Sequence, residues 1–216
     1  RIHNALAKKK IVTIMGPRQV GKSTLAGAMI PEDANDLEIN GDNTDVQTMF
    51  VNVDDTKMKV LIGNKNFLFV DEAQKIGNVG NMLKIVAEKF DDVKVIVTGS
   101  SAFKLAEAVN ESLTGRKREF RLYPLSFKEM ADETSVLEES RMINHRLIYG
   151  YYPEVVTSPG DEKEVIKELI DSYLYKDVLE ENEIAKQDKL VRLVQALAFQ
   201  IGSRSEERRV GKECRS

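Results

Sequence analysis

The sequence predicts an α/β fold, with a parallel sheet flanked by helices and a small helical lid after it. Three observations carry this. Short β-branched runs alternate with stretches of helical spacing up to about residue 120, those runs are apolar at nearly every position, and strand-like runs stop after Pro124. A strand covered on both faces reads as a continuous apolar run, whereas a half-exposed antiparallel strand alternates. Right-handed crossovers between such strands bring their carboxyl ends to one edge of the sheet, where ligands bind in open α/β folds.

Taken in order, Lys10-Ile11-Val12-Thr13-Ile14-Met15 is the first strand. It runs into Gly16-Pro17-Arg18-Gln19-Val20-Gly21-Lys22-Ser23, which fits the G-x-x-x-x-G-K-[ST] phosphate-binding loop, and then into a helix through Thr24–Ile30 that Pro31 stops. Strand, loop and helix in this order mark a P-loop NTPase. Gly16 and Gly21 let the backbone turn tightly, so that successive N–H groups and the positive helix end face a phosphate. Lys22 is expected to reach the β- and γ-phosphates and the Ser23 hydroxyl to ligate Mg²⁺, with Thr24 the next residue of the nucleotide-contacting segment.

Asp36–Asn40 reads as a short second strand, and residues 42–63 as polar and helical with Asp-rich starts. Asn66-Phe67-Leu68-Phe69-Val70 is a third, fully apolar strand ending in Asp71-Glu72. Asp71 is the expected magnesium ligand, and Glu72 the carboxylate that polarises an attacking water. Asp71-Glu72-Ala73-Gln74 looks like a helicase box, but the phosphate loop is composed differently and the chain is too short for two motor domains. Asn64-Lys65-Asn66-Phe67 has Phe67 where a guanine-reading carboxylate is required, so ATP is the expected nucleotide.

Val79–Phe90 has helical spacing, and Val93–Val97 is a fourth strand running into Thr98-Gly99-Ser100-Ser101. It is expected between the loop strand and the Asp-Glu strand. Ser100 is the candidate sensor of the γ-phosphate or water and Thr98 the alternative; a hydroxyl-rich turn capping the next helix explains the same residues. Leu113–Phe120 leads into the last strand, and Arg116 before it is the candidate arginine finger, stabilising transition-state charge across a subunit boundary. Beside Lys117 and Arg118 it also reads as a solvated basic turn.

After Pro124, residues 125–130, 137–148 and 162–174 read as short amphipathic helices separated by Gly150, Pro153 and Pro159-Gly160. The expected division is a nucleotide-binding core over 1–123, a lid over 124–187, the apolar opening of a winged helix over 188–203, and a non-native tail over 204–216 that looks like a translated sequencing adapter.

The chain has 216 residues, 42% hydrophobic, with a formal net charge of −3. That is enough for one core and an appendage. No apolar stretch is long enough to span a membrane, and Arg1-Ile2-His3-Asn4 has no signal-peptide character, so a cytoplasmic protein with an internal start is expected. Setting 204–216 aside makes the balance more acidic and removes Cys214, the single cysteine; the two histidines, His3 and His145, are far apart. A global nucleic-acid footprint, a disulfide, a zinc site and a thiol nucleophile are thereby excluded as expectations.

The phosphate loop, Asp71-Glu72-Ala73-Gln74, Thr98-Gly99-Ser100-Ser101, Leu113-Thr114-Gly115-Arg116, Tyr123-Pro124-Leu125-Ser126-Phe127-Lys128-Glu129 and Gly150-Tyr151-Tyr152-Pro153-Glu154 occur in this order. Together they resemble the AAA+ ATPases of bacteria and archaea, over roughly residues 5–202. The resemblance implies an ATPase core of the ASCE type, a helical lid, a winged helix and a nuclease-like C-terminal domain, the last two not fully present. It implies Mg-dependent ATP hydrolysis, a homo-oligomer, and DNA or protein partners through the missing domains. No segment clearly supplies a second sensor Arg; Arg141, Arg146 and Arg192 are the candidates. A low-turnover nucleotide switch and the ATPase part of a DNA-acting protein are the alternative functions.

Overall fold

The structure is a computed structural model that describes residues 1–100, 113, 115–171 and 187–200. The chain divides into two compact units, Arg1–Pro159 and Gly160–Ser216.

In the first unit, α1 (Ile2–Ala7) precedes β1 (Ile11–Met15), and α2 (Lys22–Met29) follows the glycine-containing loop. β2 (Asp36–Asn40), α3 (Thr44–Met49), α4 (Asp55–Ile62), β3 (Phe67–Asp71), a 3₁₀ turn (Ala73–Lys75), α5 (Val79–Lys89), β4 (Lys94–Gly99) and β5 (Lys117–Arg121) complete an all-parallel sheet of order β2-β3-β4-β1-β5. The α/β expectation is met, and β4 lies between β1 and β3.

Side chains alternate across each strand, and in the central strands β1, β3 and β4 both faces are dry. Val12, Ile14, Phe67, Phe69 and Ile96 pack with Ala5, Leu6 and Ala26 on one face. Ile11, Met15, Leu68, Val70, Val95 and Val97 pack on the other with Met82, Leu83 and Val86 of α5. This double burial is why the strands read as unbroken apolar runs. The register pairs Met15 with Gly99 and with Arg121, and Asn40 with Asp71, so these strands leave the sheet at one edge.

The helical segment that follows differs in detail from its sequence reading. α6 (Phe127–Glu133) opens with a capping box, in which Ser126 and Glu129 satisfy each other's backbone N–H groups. The stretch expected as one helix over 137–148 is two, α7 (Val136–Arg141) and α8 (Ile143–Tyr149), joined at Met142. Pro153, read as a separator, is the first residue of α9 (Pro153–Thr157), a position where its missing N–H costs nothing.

The second unit contains α10 (Glu162–Leu169) and α11 (Gln187–Ala198). Residues 172–174 of the expected third helix, the Ser101 helix start, Thr114, Ile201 and the 204–216 tail lie outside the described residues.

Candidate functional site

At the carboxyl edge of β1 the chain turns through Gly16–Gly21 and enters α2 with Gly21 as N-cap at φ 93°, a left-handed conformation that glycine adopts without strain. Gly21 brings no side chain to cap this helix, so that, among the described residues, its first-turn N–H groups are left for an anion. Gly16 is required for another reason. A Cβ there would stand 2.2 Å from the Leu122 carbonyl oxygen, just beyond β5. Val20 is buried and anchors the loop to the core.

Lys22 is 4% exposed; its ammonium donates to the Pro17 carbonyl at 2.9 Å and lies 3.7 Å from Glu72 Oε1. Burial lowers its pKa from 10.5, and the nearby Glu72 and Asp71 carboxylates oppose that shift. Ser23 Oγ donates to Asp71 Oδ1 at 3.0 Å and to Oδ2 at 2.9 Å, joining α2 to the end of β3. Thr24 follows, exposed, in the first turn of the helix. Pro17 and Gln19 are exposed, and Arg18 is half-buried.

Thr98 and Ser100 are two residues apart, so they share one side of the extended chain. Each reaches a different carboxylate. Thr98 Oγ1 donates to Asp71 Oδ1 and accepts the Glu72 N–H at 3.2 Å. Ser100 Oγ donates to Glu72 Oε2 at 3.2 Å. Glu72 itself has φ 46°, uncommon for a residue with a side chain. The turn it makes sets up the 3₁₀ segment that brings Gln74 Nε2 onto Glu72 Oε2 and, at 2.8 Å, onto Ser100 Oγ. Gly41, after β2, closes the other side: its N–H donates to the Asp71 carbonyl at 2.9 Å, and a Cβ there would lie 2.4 Å from the Glu72 carbonyl oxygen.

The structure thus brings together Gly16, Gly21, Lys22, Ser23, Asp71, Glu72, Thr98 and Ser100. Arg116 is elsewhere. It precedes β5 at the amino edge of the sheet, where it pairs with Glu88 at 3.4 Å and shares a cleft with Lys9, Lys10 and Lys94. A five-residue strand at about 3.3 Å per residue separates that edge from the phosphate loop, so Arg116 cannot reach a nucleotide in its own loop. Asn64–Phe67 leads into β3 at the same amino edge, with Phe67 buried and Asn66 Oδ1 taken by the Asn35 N–H at 3.0 Å.

Of the candidate sensor arginines, Arg146 is committed to buried Glu139, with Nε 3.0 Å from Oε1, and lies over the Tyr151 ring at 5.6 Å. Arg141 is exposed at the end of α7, and Arg192 belongs to α11 in the second unit. Sequence reasoning missed Gln74 and Gly41 as parts of the site. The glycine directly after a predicted strand was the available signal for the second, whereas nothing local singled out the first.

The donor set fits Mg²⁺ with a nucleotide. One hydroxyl and one carboxylate converge beside an uncapped helix end, which suits a cation that keeps water and phosphate oxygens in its shell. Among the described residues no group of three His, Cys, Asp or Glu side chains could hold a metal alone. No helix there is long and apolar enough to cross a membrane.

Comparisons with known proteins find relatives of this chain. An uncharacterized protein of Methanocaldococcus jannaschii is 27% identical over 206 residues, covering 87% of this chain and 46% of the relative. An uncharacterized protein of Haemophilus influenzae is 27% identical over 143 residues, 64% of this chain and 36% of the relative, and one of Mycobacterium tuberculosis 27% over 139 residues, 62% and 30%. The chain spans less than half the length of these relatives. A domain of unknown function matches residues 125–216, which takes in the segment read as a foreign tail. The family model described as an AAA domain matches residues 8–131, more than half of the sequence, and the chain belongs to that AAA domain family.

Proposed function

We propose that the chain binds ATP with Mg²⁺ and hydrolyses its γ-phosphate. The observation that carries this reading is the convergence of the uncapped α2 terminus, buried Lys22, and the Ser23–Asp71 contact on one sheet edge, with Glu72 adjacent. Ser23 and Asp71 would hold the cation, which supplies charge neutralisation on the phosphates. Gly16–Gly21 and the first N–H groups of α2 bind the phosphate chain, and Lys22 carries positive charge to it. Glu72 takes the proton of the attacking water, with Ser100 holding its carboxylate and Thr98 holding Asp71. ATP rather than GTP is favoured because Asn64–Phe67 contributes to folding instead of a base site.

Glu72→Gln tests the assignment. It should keep Mg-ATP affinity by calorimetry and lose turnover by about 10²-fold or more. Equal losses of both would reverse the division of labour between Asp71 and Glu72.

Arg116 acts, on this reading, on a neighbouring copy's nucleotide. Its position at the amino edge supports that, because only a second subunit can present it to a loop. An Arg116→Ala chain mixed with a Lys22→Ala chain should regain activity at their shared boundary, since the two defects lie on opposite sides of one composite site. Failure to complement in verified mixed assemblies returns Arg116 to the role of a solvated basic turn. Partners beyond the chain itself, DNA or protein, would be engaged through the part of these relatives' length outside the matched region.

A further inference from the structure

Glu72 is held on both carboxylate oxygens. Oε1 faces Lys22 Nζ at 3.7 Å, while Oε2 accepts from Gln74 Nε2 and from Ser100 Oγ at 3.2 Å. Gln74 Nε2 also donates to Ser100 Oγ at 2.8 Å, so three side chains from the β3 turn and the end of β4 close a ring. The amide orientation follows from the chemistry of the ring: turned the other way, Gln74 would set its oxygen against a carboxylate oxygen, acceptor to acceptor. One acceptor is left over. Among the described residues Gln74 Oε1 is buried with no hydrogen-bond partner, an unmet group that folding disfavours unless function employs it.

We propose that Gln74 is the positioning residue for the attacking water. Its amide nitrogen pins Glu72 Oε2, so the carboxylate keeps one orientation when the phosphates draw Lys22 away from Oε1. Its free oxygen accepts one hydrogen of the water while the vacated Glu72 Oε1 faces the other. The water oxygen then bonds to the γ-phosphorus as the bond to the β–γ bridging oxygen breaks. The water proton passes to Glu72 Oε1, and ADP and inorganic phosphate leave. This inference rests on the hydrolytic reading above.

Gln74→Met tests it, because methionine keeps the length of the side chain and removes both the donor and the acceptor. In the full chain, kcat should fall about 10- to 100-fold. The ATP dissociation constant should stay within about twofold, because the ring touches none of the phosphate-holding groups except through Glu72. A merely structural turn residue would change stability, or kcat and affinity together. The sharper readout is the double variant: Glu72→Gln/Gln74→Met should be slower than Glu72→Gln by clearly less than Gln74→Met is slower than wild type, because the part of Gln74's effect that pins the carboxylate is already gone and only its contact with the water remains to be lost. Wild-type kcat in Gln74→Met, or a second full loss in the double variant, overturns the proposal and leaves the hydrolytic reading standing. A wild-type chain that binds Mg-ATP but releases no phosphate overturns both. If Gln74→Met does not fold, Gln74→Ala carries the same comparison without added bulk.

Discussion

Gly41→Ala should damage catalysis from outside the nucleotide-contacting set. The added Cβ would stand 2.4 Å from the Glu72 carbonyl oxygen and 3.1 Å from that of Asp71, both main-chain atoms that cannot swing aside. Restoring an ordinary contact requires a displacement of about 1 Å in the Asp71-Glu72 backbone or in the Gly41 turn. The turn is itself tied down, by the Gly41 N–H on Asp71 at 2.9 Å and by Gln47 Nε2 on the Gly41 carbonyl at 2.7 Å. Overpacking of this kind costs about 1–3 kcal/mol, and at about 2–4 °C per kcal/mol for a chain of this size the Tm falls by several degrees. Catalysis should suffer more, since a misplacement of about 1 Å costs on the order of 10²-fold in rate. The assay is steady-state ATP hydrolysis with calorimetric ATP affinity and a thermal melt on the same preparation. Wild-type turnover and Tm in Gly41→Ala would refute the reasoning. Gly27→Ala is the control: its Cβ meets nothing within 4 Å in the middle of α2, so it should hold or raise Tm.

Lys22→Ala should abolish measurable ATP binding by calorimetry while the melt persists, because the Glu72 carboxylate that loses its 3.7 Å partner is still held by Gln74 and Ser100. Arg146→Leu should cost about 3–5 kcal/mol in denaturant unfolding by stranding the buried Glu139 carboxylate, and Glu139→Leu/Arg146→Leu should recover most of it. Ser126→Ala should cost about 1 kcal/mol by removing the α6 cap. Its hydrogen bonds hold Glu129 below the usual 4.5, so that linkage is present above 4.5 and lost as pH falls through the lowered value. The stability gap between wild type and Ser126→Ala should therefore narrow in acid, as read by urea melts at neutral and low pH.

The sheet and the phosphate loop were legible because their rules are local. Continuous apolar runs announce strands covered on both faces, and the spacing of Gly16, Gly21, Lys22 and Ser23 reports a backbone conformation rather than a tertiary contact. The choice between Thr98 and Ser100 was not legible, and the reason is the twofold repeat of an extended chain: both hydroxyls face the same side, and only the offset between β3 and β4 assigns one to Asp71 and the other to Glu72. Gln74 was hidden because its reach depends on the left-handed turn at Glu72, a conformation that a glutamate does not advertise. Arg116 could be located by its place before the last strand, but its pairing with Glu88 of α5 joins residues that no sequence pattern links. Pro153 was read for its ability to end a helix when its place after Tyr152 starts one.

The near-contact between Gly16 and Leu122 has a mechanical consequence. The Leu122 N–H donates to the Met15 carbonyl at 2.7 Å, so the last residue before the helical segment is riveted to the strand that launches the phosphate loop. The segment beyond is fastened to itself, by the Leu125 N–H on the Tyr151 carbonyl at 2.9 Å. Between two such fasteners the chain has a hinge of only Tyr123 and Pro124, and proline fixes one of its torsions. The helices α6–α9 are therefore joined to the backbone at Gly16 by a tether of two residues, with a fixed point at each end of it.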